Sequence, residues 1–113
     1  MQARWAMDSQ VEAATKDFVE RLKRSVRVDT VILFGSHASG SAHEGSDIDL
    51  AVISRAFDRM STWERQDLIA RATVGRAYRI APVAFSLSEY REHNPSSFIS
   101  EVVRTGTVVY QAA

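Results

Sequence analysis

The sequence predicts an α/β fold of the α+β kind, with a single small mixed β-sheet flanked by helices in one domain over residues 1–113. Three observations predict it. The runs Val31–Phe34 and Leu50–Ile53 are apolar without alternation and rich in β-branched residues, so they read as strands covered on both faces. Between such runs lie segments whose apolar residues recur at helical spacing, two of them opened by capping-box patterns. Helical and strand patterns intermix along the chain, as in a sheet with helices packed on it. With 113 residues, 45% of them hydrophobic, the chain is long enough for one core and too short for a second.

The elements follow in order. Ser9-Gln10-Val11-Glu12 is a capping box with Ser9 as N-cap and Glu12 at N3. Val11, Ala14, Phe18 and Leu22 then mark one apolar helix face. The basic run Arg21, Lys23, Arg24, Arg27 reads as a solvated last turn that suits the helix dipole. Val31–Phe34 is the first strand, and the small polar stretch 35–46 is a loop. Strand character resumes over Asp47–Ile53. Ser61-Thr62-Trp63-Glu64 is a second capping box, opening a helix that turns Trp63, Leu68, Ile69 and Ala72 inward and ends near Gly75 or Tyr78. Ile80–Phe85 is a third strand, and Pro82 within it restricts it to an edge or to one-sided pairing. Asn94-Pro95 starts a last helix with Pro at the first helical position. Its apolar face is Phe98, Ile99, Val102 and Val103, and Gly106 is its C′ stop. Thr107–Tyr110 is a short terminal strand.

Bulk composition excludes several function classes. Fourteen Lys and Arg balance fourteen Asp and Glu, for a formal net charge of +0. Affinity for long nucleic acid comes mainly from neutralising phosphates, so direct nucleic-acid binding is not expected, whereas a small nucleotide remains compatible. The chain has no cysteine, which excludes disulfides and thiolate metal sites and suits a reducing compartment. There is neither an apolar leader nor a run of membrane-spanning length. A cytoplasmic protein without membrane contact is the expectation.

Chemistry concentrates at the ends of the first two strands. Residues two apart on a strand share a face, so Asp47 and Asp49 project together while Ile48 points away. Two adjacent carboxylates repel unless a cation lies between them or one is protonated. Hard oxygen ligands of this kind suit Mg²⁺, which takes one or two carboxylates plus substrate phosphates. Gly35-Ser36 leaves the first strand. Glycine allows close approach of backbone to a ligand, and N–H groups opening a helical turn at Ser36 hold phosphate oxygens. If the two strands are neighbours, the phosphate cradle and the metal ligands meet at one sheet edge. The alternative makes Asp47 a turn residue and Asp49 an exposed strand residue, but aspartate is depleted in strands. At average residue usage, four fixed residues would arise by chance in about one chain in a thousand of this length.

The segment Val31 to Ile53, VILFGSHASGSAHEGSDIDLAVI, resembles the signature of the minimal nucleotidyltransferase family within the DNA polymerase β-like superfamily. Its pattern is Gly-Ser, ten residues, then Asp-x-Asp, with a strand before and after. Gly35, Ser36, Asp47 and Asp49 match it one by one, and Gly40 matches a common small position in the loop. The resemblance implies a nucleotidyltransferase fold and Mg²⁺-dependent transfer of a nucleotidyl group, usually adenylyl, from ATP or another nucleoside triphosphate to an acceptor. Gly35 and Ser36 would then bind the nucleotide, with Asp47 and Asp49 as catalytic metal ligands. It further implies a helical HEPN-domain partner, the pair acting as antitoxin and toxin, with a toxin tyrosine as acceptor. A homo- or hetero-oligomer is compatible with such a partnership.

One departure stands out. The family's third carboxylate lies on a later strand, yet Arg79-Ile80-Ala81-Pro82-Val83-Ala84-Phe85 contains no acid. Asp58 and Glu89 are the nearest substitutes in sequence, and neither is expected within hydrogen-bond reach. A one-metal transfer, or a catalytically weak module that neutralises a partner by binding, are the alternatives this leaves; an accidental match on a plain structural domain is a third. His37 and His43 in the loop could touch phosphate or metal, but exposed loop histidines are common. His93 reads as a solvated turn residue. Trp63 and Tyr78 read as core residues before base-stacking ones. Arg55 and Arg59 either steer a triphosphate or solvate the loop after the second strand.

Overall fold

The computed structural model describes residues 9–43, 45–75 and 79–113. The elements are α1 (Ser9–Lys23), β1 (Thr30–Phe34), α2 (Ser36–Ser39), β2 (Ile48–Ser54), a 3₁₀ turn (Arg55–Arg59), α3 (Thr62–Arg71), β3 (Ile80–Ser86), α4 (Leu87–Arg91), α5 (Phe98–Thr105) and β4 (Thr107–Gln111). The four strands form a sheet of order β3-β2-β1-β4. β1 pairs antiparallel with β2 and with β4, while β2 and β3 are parallel. The sheet is therefore mixed, as the sequence predicts. The parallel pair is joined by the 3₁₀ turn and α3, the helical crossover that parallel strands need.

Side-chain alternation sorts the core into two layers. Val31 and Leu33 of β1, with Ile48, Leu50 and Val52 of β2, pack against Val11, Phe18, Val19 and Leu22 of α1 and against Phe57 and Ile69. The intervening residues Ile32, Ala51 and Ile53 face the other way, onto Val102 of α5 and onto Phe34, Val83 and Phe85. Both central strands are thus buried on both faces, which explains why their sequence does not alternate. β3 lies at the edge, so Pro82, opposite Leu50, needs no partner on its outer side.

Several local expectations are corrected. Ser9 is itself helical rather than an N-cap. α3 is capped as predicted, Ser61 Oγ accepting from Glu64 N–H while the Glu64 carboxylate accepts from Ser61 N–H. Trp63 on that helix is not inward, however, but 82% exposed. It occupies the first turn of α3, a helix in which only Ile69 is fully buried. α3 ends at Arg71 rather than near Gly75, and Tyr78 lies outside the described residues. The last helix begins three residues after Pro95. Asn94 and Pro95 form a turn in which Asn94 Oδ1 accepts from Ser96 N–H and the Asn94 carbonyl accepts from Ser97 N–H, and Ser97 is the N-cap. Gly106 ends α5 in extended rather than left-handed backbone (φ −90°). A Cβ there would lie 2.5 Å from Ile32 Cγ2 and 2.6 Å from the Val102 carbonyl oxygen. Glycine is needed at that point for close passage over β1. No helix among the described residues is long and apolar enough to cross a membrane.

Candidate functional site

β1 and β2 are direct neighbours, with Phe34 opposite Asp49. The end of β1 therefore delivers Gly35 to the start of β2. Gly35 adopts φ 76°, ψ −152°, a region essentially reserved for glycine, and caps α2 with its carbonyl, which accepts from Ala38 and Ser39 N–H. A Cβ on Gly35 would overlap Asp49 Oδ2 and lie 3.0 Å from Asp49 Cγ. The glycine backbone thus rests directly against the carboxylate that the sequence singles out. Ser36 opens α2, and its hydroxyl makes no hydrogen bond among the described residues.

The loop from α2 back to β2 is held by local hydrogen bonds. Gly40 closes α2 in left-handed backbone. Ser39 and Ser41 share a hydroxyl–hydroxyl bond of 2.8 Å, and Ser46 Oγ accepts from His43 N–H. His37 Nε2 lies 3.4 Å from the Ser46 carbonyl oxygen, donating in the tautomer protonated there. His37 therefore ties α2 to the residue preceding Asp47. His43 is an exposed loop residue, as expected, and His93 bonds the Tyr90 carbonyl in the turn after α4.

The two acids are electrostatically coupled. Burial first, then the charge of Asp47, push the Asp49 carboxyl above its ordinary value, while His37 pulls it the other way. Arg79, just before β3, places Nε 3.0 Å from Asp47 Oδ1. The approach is off the line of a hydrogen bond, so Oδ1 is buried yet accepts none among the described residues. A carboxylate pair in which one member is pushed toward protonation and the other has an orphaned oxygen fits a divalent cation, whose charge and coordination would satisfy both.

The candidate substitutes for a third carboxylate are elsewhere. β2 and β3 run parallel, with Ser54 opposite Ser86 at their far ends. Asp58 follows β2 there, its carboxyl lowered by Ser88. Glu89 is the capping-box partner of Ser86 and pairs with Arg65 at 2.8 Å. Both sit at the end of the sheet opposite Asp47 and Asp49. Arg55 is there too. Its backbone N–H and guanidinium bind Asp29, which also pairs with Arg27. Burial opposes ionisation of Asp29, but these donors outweigh it and hold the carboxyl below its ordinary value. Arg55 is accordingly a structural ion-pair residue and not a triphosphate guide. No group of three or more His, Asp or Glu suited to a metal occurs among the described residues. The pairing of Arg79 with Asp47 escapes a sequence reading, because it depends on the β2–β3 register.

The chain is similar to known proteins in sequence and in fold. The family described as "Polymerase beta, Nucleotidyltransferase" matches residues 16–113. A protein of Methanocaldococcus jannaschii named "Putative protein adenylyltransferase" is 31% identical over 102 residues, covering 88% of this chain and 97% of its own. In fold, the chain is similar to a crystal structure described as a "putative nucleotidyltransferase" from Sulfolobus solfataricus. That likeness has a TM-score of 0.69 at 18% identity and covers 90% of this chain and 81% of the other. With a glycine turn seated on one of two acids at the ends of the central strands of a mixed sheet, and with these matches in sequence, the chain belongs to the polymerase β-type nucleotidyltransferase family.

Proposed function

We propose that this protein is a Mg²⁺-dependent adenylyltransferase of the minimal nucleotidyltransferase type, with Asp47 and Asp49 as metal ligands and Gly35-Ser36 as the triphosphate cradle. The observation that carries it is the seating of Gly35 on the Asp49 carboxylate. A phosphate bound at the Gly35-Ser36 turn then lies beside a cation held by the acids. The Mg²⁺ ion, when bound, neutralises phosphate charge and orients the α-phosphoryl group. The Ser36 hydroxyl and the Gly35 turn hold phosphate oxygens, and His37 keeps the loop closed against Ser46. An acceptor hydroxyl attacks the α-phosphorus, the bond to the bridging oxygen breaks and pyrophosphate leaves. The hydroxyl proton passes to water or to a group that the acceptor brings. The name of the Methanocaldococcus relative supports a protein acceptor. The signature around Val31 to Ile53 supports a HEPN-domain toxin tyrosine as that acceptor, with this chain as cytoplasmic antitoxin.

A second reading has its own observation. The Arg79–Asp47 ion pair, with no acid on β3, favours a weak or inactive module that neutralises its partner by binding. Titration of Mg-ATP into the purified protein and into the Asp47→Asn, Asp49→Asn double variant tests the first reading. Metal-dependent binding is expected in the parent only. Incubation with the product of the neighbouring gene and ATP then separates the two. A mass increase of one adenylyl group on the partner supports transfer; a folded, bound and unmodified partner supports neutralisation by binding.

A further inference from the structure

The side of the acidic pair that faces β3 carries a cation and no acid. The parallel register sets Asp49 against Ala81, so Ala81 shares the face of Asp49, and Arg79, two residues earlier, falls beside Asp47. Ala81 has no group able to ligate a metal. The Arg79 guanidinium already lies 3.0 Å from Asp47 Oδ1. Two divalent ions held by two carboxylates alone would be poorly ligated and would repel one another.

We propose that Arg79 supplies the second positive charge of this site. Asp47 and Asp49 take one divalent cation, and the Arg79 guanidinium turns from Asp47 onto the phosphate oxygens of a bound nucleoside triphosphate. The proposal rests on the nucleotidyltransferase reading above and adds the count of metal ions and the origin of the remaining charge. Its chemistry follows from guanidinium geometry, a permanent cation whose planar fork matches phosphate oxygens. Its mobility follows from exposure. The Arg79 side chain is 77% exposed and that of Asp47 43%, so the ion pair is weak and readily exchanged. Asp47 Oδ1 accepts no hydrogen bond from Arg79, so that oxygen loses none when the guanidinium leaves. The Arg79 backbone stays in place, because its carbonyl accepts from Ile48 N–H at 2.9 Å. Only the long side chain has to swing.

The experiment counts metal ions and compares two affinities with opposite expectations. Mn²⁺ binding is followed by electron paramagnetic resonance, alone and with a non-hydrolysable ATP analogue, in the parent, Arg79→Ala, Arg79→Lys and Ala81→Asp. The parent is expected to bind one Mn²⁺ per chain with the analogue. Arg79→Ala should tighten Mn²⁺ alone by up to about fivefold, because a weak competing pair is removed. It should also weaken the analogue at saturating Mn²⁺ by about tenfold or more. Arg79→Lys should recover part of the analogue affinity, and Ala81→Asp should admit a second Mn²⁺. Two Mn²⁺ ions on the parent, or an Arg79→Ala variant with both affinities unchanged, overturn the proposal and leave the transferase reading intact. Absence of metal-dependent analogue binding in the parent overturns both.

Discussion

At Gly35 one backbone angle and one neighbour fix the residue type. Any side chain there must adopt left-handed backbone and enter the space of Asp49 Oδ2. Gly35→Ala is expected to cost about 2 kcal/mol or more from strain and overlap, and to abolish Mg-ATP binding by displacing the carboxylate. Gly40 is the control. It too has positive φ, but a Cβ there meets nothing within 4 Å, so Gly40→Ala should cost about 1 kcal/mol from backbone strain alone. Urea unfolding paired with nucleotide titration distinguishes the two. Asp49 leads to a second expectation. Its folded-state value is raised by burial and by Asp47, so on acidification the folded protein takes up this proton before the unfolded chain does. The destabilisation is fully present above the raised folded value and is relieved as pH falls through it toward the ordinary carboxylate value. Asp49→Asn should therefore stabilise the metal-free protein near neutral pH, by up to about 1 kcal/mol, the scale of one partly exposed charge interaction. It should also remove any gain in melting temperature on adding Mg²⁺. A variant less stable than the parent at neutral pH without metal would contradict this account of the pair.

Among the elements, the junction of α5 with β4 passes close over β1. Gly106 has ordinary backbone, so its requirement is purely one of space. A Cβ would crowd Ile32 Cγ2, the Val102 carbonyl and, at 2.8 Å, the Leu33 carbonyl. Gly106→Ala is expected to destabilise by about 1–3 kcal/mol through overpacking, measured by thermal or urea unfolding. Because β4 pairs with β1, and β1 leads directly into Gly35, displacement at this junction reaches the site through the strand. α5 also aligns aromatic rings on the acid-bearing face of the sheet. Phe98 meets Phe34 edge-on at 5.6 Å and Phe85 at 6.1 Å, while remaining 54% exposed. The sequence places Phe98 on the apolar face of its helix. The structure buries only Ile99 and Val102 of this face and leaves Phe98 and Val103 partly in solvent.

For the molecule as a whole, Asp29 fastens the end of the sheet opposite the acids. It joins the start of β1 to the end of β2 through Arg27 and Arg55, and its carbonyl accepts from Ala112 N–H beyond β4. Its folded-state carboxyl is held low despite burial. Its contribution is therefore present above the ordinary carboxylate value and lost as pH falls through the depressed folded one. Asp29→Ala is expected to cost about 2–3 kcal/mol at neutral pH, the scale of hydrogen bonds to a charged group. The loss should shrink in acid, as read from urea unfolding across pH. Asp29 and Asp49 thus give opposite pH slopes from opposite ends of β2. One carboxylate is surrounded by donors; the other is placed beside a like charge.

What the sequence determined by itself was the local grammar. The non-alternating runs 31–34 and 50–53, the Ser61 capping box, the restriction that Pro82 puts on its strand and the spacing of Gly35-Ser36 to Asp47 and Asp49 all depend on residues near one another in the chain. Local sterics, hydrogen bonding and burial patterning act at that range. Tertiary structure decided the remainder. Whether Trp63 is covered depends on what packs against the first turn of α3, not on helical period. Whether Asn94 caps a helix or a turn depended on competition with Ser97, three residues on. That Gly35 rests on Asp49, that Arg79 reaches Asp47, and that Asp58 and Glu89 do not, follow from strand order and register. Those are settled by long-range packing of the sheet between its two helical layers, which no short window of sequence encodes.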